Sequence, residues 1–485
     1  MVDTLIIAFL LYLIVLIVVG IWSSKFNKTL DDFLIAGRRL GVWPVAISAE
    51  ASDMSGWLVL GLPGRGFVYG ISALWTAIGC AIGTLFGWIG IAGRLRAFTE
   101  KLKSLTIPDY LEDRFTDKTH VIRAISTSVI TIFMVSYVSA QFVASGKILS
   151  ETFGWNYYTA LIVGVIILTF YTMMGGFFAV AWTDVFQGML IVMIIVFLPI
   201  VGIIKLGGLN QVFEKIGTIN PNTLSPTFGY TGLLTLVFIS ASMSWMFGYA
   251  GQPHILTRYM AIKEKRKIRQ STLIGTIWVI LSLWGAVLIG LIGLAYFTSI
   301  PDPEKVMPLL ALNLLPRWVA GIVIAAITAA IMSTADSQLL VATSAITEDV
   351  YHKLINPKAS HKKLVFLSRV TVVLLALFAF LLALEGGVIY FLVAFAWGGL
   401  AAAFGPLIIL SLWWKKTTKQ GAIAGMITGA LTVIIWDKLG VSSSMPTELI
   451  IPGMFPAFFL SLFAIVIVSL ITQRAGRETA NPLES

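Results

Sequence analysis

Long apolar runs alternate with short polar and basic segments along the whole chain. A helix needs about 20 mostly apolar residues to cross the hydrocarbon core of a bilayer. Thirteen such runs occur, numbered here as the first to the thirteenth span. They cover residues 4–22, 41–64, 71–92, 122–146, 156–175, 183–204, 231–255, 272–298, 318–346, 367–385, 388–413, 420–436 and 449–472. The pattern predicts an all-α polytopic membrane protein with 13 transmembrane helices.

The composition excludes the soluble classes of protein. Of 485 residues, 58% are hydrophobic and 12% are charged, whereas an average soluble domain is about 25% charged. The net charge of +10 is divided among short loops, which argues for membrane topology and against nucleic-acid binding. The single cysteine excludes an intramolecular disulfide. Four histidines without an H-E-x-x-H motif argue against zinc or haem chemistry.

The basic residues also predict the orientation in the membrane. Of 34 lysines and arginines, 27 lie in loops of one parity and 7 in the other. Because cytoplasmic loops are enriched in these residues, we expect the N-terminus outside and the C-terminus in the cytoplasm. The first span has no positive charge before it and is long, so we expect an uncleaved helix and no signal peptide.

The second span carries two carboxylates, Glu50 and Asp53, among Ala, Ser and Gly residues. An ionisable group within a span costs roughly 2.5–3.5 kcal/mol on insertion scales, so each is a functional candidate. The composition predicts a local unwinding that lines a cavity. The alternative is a packing role beside a basic residue. We place no basic residue at that depth, which favours a functional Asp53, whereas Glu50 equally suits a wet vestibule.

The seventh span contains a second interruption, because two glycines and a proline fall within residues 248–253. Trp245 and Tyr249 lie one turn apart and share a helix face. Such a pair either packs the break or contacts a ligand. Interrupted spans at matching positions of two halves indicate the binding site of a secondary transporter.

The ninth span places four oxygen-bearing residues within five positions: Ser333, Thr334, Asp336 and Ser337. Hydroxyls of this kind often bond only to their own helix. The cluster nevertheless exceeds what a kink requires, and small hard cations prefer several oxygen ligands. Asp184, near the start of the sixth span, is a further isolated carboxylate.

These stretches resemble a known family. The matching segments are residues 52–57 with 61–64, 179–184, 251–256, and 332–334 followed by 345–349. With them the chain resembles the sodium/solute symporter family, and within it the bacterial sodium/proline symporters. The likeness runs from the first span to the twelfth.

The resemblance implies a LeuT-type fold within one transmembrane domain over residues 1–485. Spans two to eleven would form two inverted five-helix repeats, at residues 41–205 and 231–413. An extra N-terminal helix and loop would occupy 1–40, two further helices 420–472, and a short cytoplasmic tail 473–485.

The resemblance also implies a sodium site and a second cation route. Sodium would be bound by backbone carbonyls of Ala51, Met54 and Ala330 and by the hydroxyls of Ser333 and Thr334. Asp53 would support this site, and Asp184 with Ser337 would form the second route. The chain departs from the proline-symporter pattern at Glu50, Arg65 and Asp336, and Asp336 would allow binding of a proton or a second sodium.

For a proline zwitterion, we expect unwound backbone N–H groups near Ser55 and Gly56 to bind the carboxylate. Trp245 and Tyr249 would supply an aromatic wall and a cation–π contact. The other candidates are Gln252 for a polar contact, Pro253 for the shape of the backbone, and Trp57 and Tyr137 from neighbouring helices.

The leading hypothesis is sodium-coupled uptake of L-proline by alternating access across the cell membrane. Its partners would be proline, the coupling ion Na⁺ and the lipid bilayer, with no nucleic acid and no obligate protein partner. Sodium-coupled uptake of another small solute or amino acid is the alternative within the class. An intramembrane aspartyl enzyme would need a Gly-x-Gly-Asp motif, which the sequence lacks. A sensor would need a larger tail, and a channel a carbonyl filter or a charged ring.

Overall fold

The computed structural model describes residues 4–24, 34–174, 176–439 and 449–475. Within these ranges the regular structure is helical, apart from one isolated parallel bridge between Leu40 and Ile262. Each predicted span corresponds to a helix or a pair of helices, although Gly93–Leu102 follows the predicted end of the third span. In order these are Thr4–Ser24, Val42–Asp53 with Leu62–Tyr69, Leu74–Phe86 with Gly93–Leu102, Val121–Phe153, Tyr157–Met174, Phe177–Lys205, Leu233–Met243 with Pro253–Ala261, Ile268–Phe297, Arg317–Ser344, His361–Ala383, Ile389–Trp413, Lys419–Lys438 and Met454–Ala475.

The helices confirm a polytopic membrane protein. In the described part of the chain, nine helices are long and apolar enough to cross a bilayer, and one bent pair brings the number to ten. Helices Thr4–Val19 and Tyr157–Met173 are shorter apolar segments. The total of thirteen spans therefore stays a prediction. Residues 25–33 and 476–485, which include part of the expected N-terminal loop and most of the expected tail, lie outside the described residues.

The predicted interruption of the second span is confirmed. Helix Val42–Asp53 ends at a bend at Met54, and Ser55 then has a positive φ of 35°. The helix resumes at once with wide turns over Trp57–Gly61. Its first wide turn is stabilised because the Trp57 N–H donates to Ser55 Oγ at 3.0 Å. The break is therefore narrow, one turn or less in length.

The seventh span is interrupted as predicted. A tight 3-10 turn over Ser244–Gly248 follows helix Leu233–Met243, and a new helix begins at Pro253. The two halves are bent by 44°. Proline suits this restart because the first turn of a helix needs no N–H donor from it. Gln252 before it is extended, so backbone groups leave the helical ladder here.

The two broken spans lie at the centre of the packing. The second span packs against the sixth and eighth, and the seventh packs against the third and eleventh. The ninth-span helix contacts the first, second, fourth and sixth spans. It continues through wide turns over Ala345–Ile355, well beyond its predicted end. This arrangement brings the breaks of the second and seventh spans close together within the core.

Candidate functional site

An oxygen-rich contact joins the broken second span to the ninth-span helix. The Ser333 hydroxyl lies 2.8 Å from the carbonyl oxygen of Ala51 and 3.2 Å from that of Ala330. Thr334 Oγ1 lies 3.5 Å from the same Ala51 oxygen. All of these residues are buried. Four of the five predicted sodium ligands are therefore linked to one another through the Ser333 hydroxyl and the Ala51 carbonyl.

The fifth predicted ligand, Met54, differs from the others. Its carbonyl accepts the N–H of Leu58 at 3.0 Å, so it takes part in the resumed helix. Asp53 is buried beside it, and the Tyr137 hydroxyl donates to the Asp53 carbonyl at 3.3 Å. Asp53 and Tyr137 thus connect the ion-site residues to the aromatic residues on the other side of the break.

The predicted substrate aromatics form one buried cluster. The rings of Trp57 and Trp245 are 4.7 Å apart between centroids. Trp397, on the eleventh span, lies 6.1 Å from Trp245, 5.1 Å from Tyr249 and 6.5 Å from Tyr137. We call these five residues the aromatic cluster. It joins the second, fourth, seventh and eleventh spans and supplies flat apolar walls next to the helix breaks.

Close approach of the eleventh span depends on Gly248. A Cβ atom at this position would lie 1.7 Å from Nε1 of Trp397, so any side chain would displace the indole. The same indole donates to the Trp245 carbonyl at 3.4 Å, and Gln252 Nε2 donates to the Trp397 carbonyl at 3.0 Å. Two hydrogen bonds, one of the Trp397 indole and one of its carbonyl, thus hold the unwound segment of the seventh span to Trp397.

The backbone donors expected for a carboxylate are already engaged. Ser55 N–H donates to Thr334 Oγ1 at 3.0 Å, and Gly56 N–H donates to Gln141 Oε1 at 2.8 Å. The reason is the narrow break, since the chain returns to helix before these groups are exposed. Near the breaks, the buried atoms without a partner among the described residues include Trp57 Nε1, Gln141 Nε2 and Gln252 Oε1. In this conformation, side chains are therefore the groups that are available to bind the polar atoms of a ligand.

Sequence reasoning missed three residues of this site. Trp397 completes the aromatic cluster, Gln141 holds Gly56, and Tyr390 accepts the Trp245 indole N–H at 2.9 Å. Gln141 was detectable, since an amide within an apolar span is itself exceptional. Trp397 and Tyr390 carry no local signal, because aromatic residues are common throughout the spans.

Arg258 corrects the placement of a basic residue in a cytoplasmic loop. It is fully buried in helix Pro253–Ala261, because the seventh span runs six residues beyond its predicted end. Its Nη2 lies 3.0 Å from Asp184 Oδ2 and 2.6 Å from Ser337 Oγ. Arg258, which was predicted to lie in a loop, is therefore a buried basic residue at the end of the seventh span. Asp184 and Ser337 do come together, but around a guanidinium.

The other two buried carboxylates have different environments. Glu50 accepts the indole N–H of Trp88 at 2.9 Å and is packed close to Gly275, which favours a structural role over a wet vestibule. Asp336 Oδ1 accepts from Ser337 Oγ at 3.3 Å, while its Oδ2 is buried and has no partner among the described residues. Asp336 therefore retains a free acceptor next to the Asp184–Arg258 pair.

The comparisons with known proteins cover most of the chain. A model of the sodium:solute symporter family matches residues 33–429. A sodium/proline symporter of Escherichia coli (strain K12) is 42% identical over 476 residues, which cover 96% of this chain and 92% of that protein. A high-affinity proline transporter of Bacillus subtilis (strain 168) is 41% identical over 464 residues, 94% of this chain and 96% of its own length.

The chain belongs to the sodium:solute symporter family. Like other members of this family it is a multi-pass membrane transporter and not an enzyme. The solved structure of a Na⁺-coupled sialic acid symporter, in a substrate-bound outward-open state, superposes with a TM-score of 0.80 and 19% identity over 99% of both chains. That likeness shows the LeuT-type fold for this symporter.

Proposed function

We propose that this symporter takes up L-proline together with sodium by alternating access. One observation carries the proposal: the hydroxyls of Ser333 and Thr334 meet the Ala51 carbonyl at the break of the second span, directly beside the aromatic cluster. An ion site and a substrate site that share one broken helix are energetically coupled through it. The proline transporters among its relatives, at 41% and 42% identity, support the choice of substrate.

Sodium would be bound by carbonyl oxygens of Ala51, Ala330 and Met54 and by the hydroxyls of Ser333 and Thr334. Ser333 already contacts two of these carbonyls, so small shifts bring its oxygen and theirs around one ion. Met54 would contribute its second carbonyl lone pair, because Leu58 uses only one. Hard oxygen ligands of this kind suit Na⁺ better than nitrogen or sulfur would.

Proline would lie against the aromatic cluster. Its ring would contact Trp245 and Tyr249, and its secondary ammonium would face an aromatic ring. Gln141 Nε2 and Trp57 Nε1 are buried donors beside the cluster that have no partner among the described residues, so they would receive the carboxylate together with any N–H that Ser55 or Gly56 releases. Gln252 Oε1, an unpaired acceptor, suits the ammonium, while Pro253 keeps the backbone open beside it.

Alternating access would move the two halves, residues 41–205 and 231–413, relative to each other. Each half begins with a broken helix, which supports their assignment as inverted repeats. A second cation route past Asp184 and Ser337 requires Arg258 to withdraw from both of them, since its Nη2 contacts each. Asp336 Oδ2 is the acceptor left free for a proton or a cation in that state.

The decisive test is uptake of labelled L-proline by proteoliposomes with separately controlled sodium gradient and membrane potential. Each inward sodium gains about 2.3 kcal/mol per 100 mV and about 1.4 kcal/mol per tenfold gradient. One ion can thus sustain accumulation of a few hundredfold, and removing either component should reduce it. Uptake at full rate in choline medium would refute the coupling. If another amino acid competes better than proline for uptake, that amino acid would replace proline as the proposed substrate.

Trp245→Ala tests the substrate site directly. We expect proline binding to weaken more than about tenfold, because a buried aromatic ring contributes several kcal/mol of contact, while sodium binding persists. The matched control is Trp318→Ala, since Trp318 is 59% exposed on the surface of the ninth span. Unchanged proline affinity in folded Trp245→Ala would place the substrate elsewhere.

A further inference from the structure

An arginine and a tryptophan are stacked where the third and eleventh spans end. The guanidinium carbon of Arg94 lies 3.5 Å from the ring centroid of Trp413, the last residue of the eleventh-span helix. Both side chains are exposed. Tryptophan at the end of a span is typical of the membrane–water interface. The loop parity of the basic residues assigns this end to the cytoplasm, so we expect the pair at the level of the inner-leaflet headgroups.

Two hydrogen bonds hold the stacked pair in place. The Trp413 indole N–H donates to the Gly90 carbonyl at 2.9 Å, and Arg94 Nη1 donates to the Leu412 carbonyl at 3.1 Å. Gly90 lies within wide helical turns over Gly87–Ala92, and such turns are frequent at functional sites. The ends of the two spans are therefore tied to each other, and the plane of the guanidinium is fixed.

Arg94 nevertheless keeps most of its donors available. Its Nε and Nη2 form no hydrogen bond with the described residues, and the guanidinium makes no ion pair with them. Lys416, three residues after Trp413, is exposed and has no acidic partner in the same part of the chain. Glu100, in the same helix as Arg94, is paired with Arg96. We call Arg94, Trp413 and Lys416 the interfacial patch, whose positive charge is uncompensated.

An apolar surface of the third span begins directly beside this patch. The side chains of Ile82, Phe86 and Ile89 are exposed along one side of the helix. A Cβ atom at Gly90, whose carbonyl binds the Trp413 indole, would lie 3.1 Å from the Phe86 ring. Lipid chains cover such a surface within a bilayer. A phosphate at Arg94 therefore has an apolar surface next to it for attached acyl chains.

We propose that the interfacial patch binds the headgroup of an anionic phospholipid, with the phosphate on Arg94 and the acyl chains along Phe86 and Ile89. A planar guanidinium binds two phosphate oxygens in parallel, and Lys416 adds a second positive charge. A zwitterionic headgroup fits less well, because its ammonium meets these two charges and no acidic side chain of the patch. The bound lipid stabilises the junction between the third and eleventh spans.

Native mass spectrometry of the full chain tests the site by measuring lipid affinity. The probes are dioleoylphosphatidylglycerol and dioleoylphosphatidylcholine, which have the same chains and differ in headgroup charge. We expect the wild type to bind phosphatidylglycerol at least about tenfold more tightly than phosphatidylcholine, because two basic residues attract the net charge. Arg94→Gln should weaken phosphatidylglycerol binding at least about fivefold, and Arg94→Lys should be intermediate. Equal phosphatidylglycerol affinity of the wild type and folded Arg94→Gln would overturn the proposal.

Two further variants separate a specific site from general attraction to a basic face. Trp413→Leu keeps every charge but removes the ring that positions Arg94, so we expect about threefold weaker phosphatidylglycerol binding. Arg269→Gln is the matched control, because Arg269 is exposed on the same face, near the start of the eighth-span helix, and has no ion pair with the described residues. Equal losses in Arg94→Gln and Arg269→Gln, or unchanged affinity in Trp413→Leu, would overturn the site.

A soluble phosphate shares the chemistry of the headgroup, so a third probe distinguishes the two sources. Glycerol 3-phosphate lacks chains, and we expect even an about thousandfold excess of it to leave phosphatidylglycerol bound, because it cannot cover the apolar surface. Displacement would assign a soluble anion to the patch and overturn the lipid. Phosphatidylglycerol should also raise the melting temperature of the wild type more than that of Arg94→Gln. An equal rise would overturn the stabilised junction.

Discussion

The guanidinium of Arg258 has all its polar partners inside the protein. Nε donates to Ser48 Oγ at 3.0 Å and Nη1 to the His254 carbonyl at 2.9 Å, while Nη2 reaches Asp184 and Ser337. Ser48 Oγ in turn donates to Asp184 at 2.6 Å. A buried ion pair compensates its desolvation best when further hydrogen bonds satisfy both groups; in this pair Asp184 Oδ1 has no partner among the described residues. Removing one partner therefore costs more than removing both.

Single and double substitutions at this pair should show that asymmetry. We expect Asp184→Asn or Arg258→Met alone to lower the free energy of unfolding by about 3–5 kcal/mol, and the double variant to lose less than the sum. Unfolding in detergent, followed by near-ultraviolet circular dichroism, measures it. Lys267→Gln is the control, since it breaks an exposed pair with Glu264. Additive losses would show that the two charges act independently.

The hydroxyls at the proposed sodium site predict graded effects on ion affinity. Ser333→Ala and Thr334→Ala should each raise the sodium concentration for half-maximal uptake by about tenfold, because each removes one ligand oxygen. Thr334→Ser keeps the hydroxyl and serves as the control. Asp53→Asn should be more severe, since the buried carboxylate balances the charge of the ion. If Ser333→Ala, Thr334→Ala and Asp53→Asn all fold and keep normal sodium dependence, the proposed sodium site would be refuted.

At the scale of elements, the start of the eleventh-span helix is fixed by a carboxylate from a distant segment. Glu304 accepts the N–H of Ile389 and that of Tyr390, both at 2.9 Å, and also binds Lys147 at 2.6 Å. A carboxylate at a helix N-terminus satisfies free donors and interacts favourably with the helix dipole. Glu304 thereby sets the position of Tyr390, which in turn holds Trp245.

Glu304→Ala should loosen this helix start and affect transport indirectly. Loss of the cap costs about 1 kcal/mol, so we expect the KM for proline to rise about fivefold with little change in sodium affinity. Glu151→Ala is the matched control, because Glu151 forms a partly exposed ion pair with Lys305 and contacts neither Ile389 nor Tyr390. Equal effects of the two substitutions would argue against a positioning role for Glu304.

At the scale of the whole molecule, one buried arginine gathers acidic groups from separate segments on the face we assign to the cytoplasm. Arg123 binds Asp109 at 2.8 Å, Glu112 at 2.8 Å and Asp349 at 2.6 Å. Burial alone would raise the pKa of Asp109, but Lys353, Arg123 and the Leu105 N–H together lower it below the usual range. This network ties helix Ile107–Arg114 to the fourth and ninth spans.

The lowered pKa of Asp109 predicts the direction of acid sensitivity. A carboxyl that is more acidic in the folded state stabilises the protein above its unfolded pKa of about 3.9, and this contribution is lost as the pH falls through the folded value. Asp109→Asn should therefore be less stable than wild type at pH 7, and the difference should shrink towards pH 3. Melting temperatures measured across this range test it. Glu214→Gln, on the exposed surface helix Leu209–Ile219, should parallel the wild type. A constant difference between Asp109→Asn and wild type at every pH would contradict the assignment.

Local sequence signals were sufficient for the broken helices and for the cluster of oxygen-bearing side chains on the ninth span. The glycines and the proline within 248–253 indicated one break. Ser333 and Thr334 indicated a cluster of oxygen-bearing side chains that is improbable in an apolar helix. The narrowness of the second-span break was not predictable, because it depends on Thr334 and Gln141 binding the local N–H groups.

The sequence alone could not predict long-range pairs or the ends of the helices. Arg258 looked like a loop residue because basic residues usually flank spans, and only the partner Asp184, 74 positions away, explains its burial. The roles of Trp397 and Tyr390 likewise depend on which helices meet. Hydrophobic periodicity predicts that a helix exists, but it does not say which face meets which neighbour.

The uninterrupted ninth-span helix has a mechanical consequence. It runs from Arg317 to Ile355 without a break and carries both Ser333, at the proposed ion site, and Asp349, in the network around Arg123. The sixteen steps from Ser333 to Asp349 correspond to roughly 24 Å of helix. Such a rod transmits tilt and rotation without absorbing them. If sodium binds at Ser333 as we propose, a displacement of that end of the helix would also act on the ion-pair network around Arg123 at the other end, so that sodium binding would control the opening of the inner face.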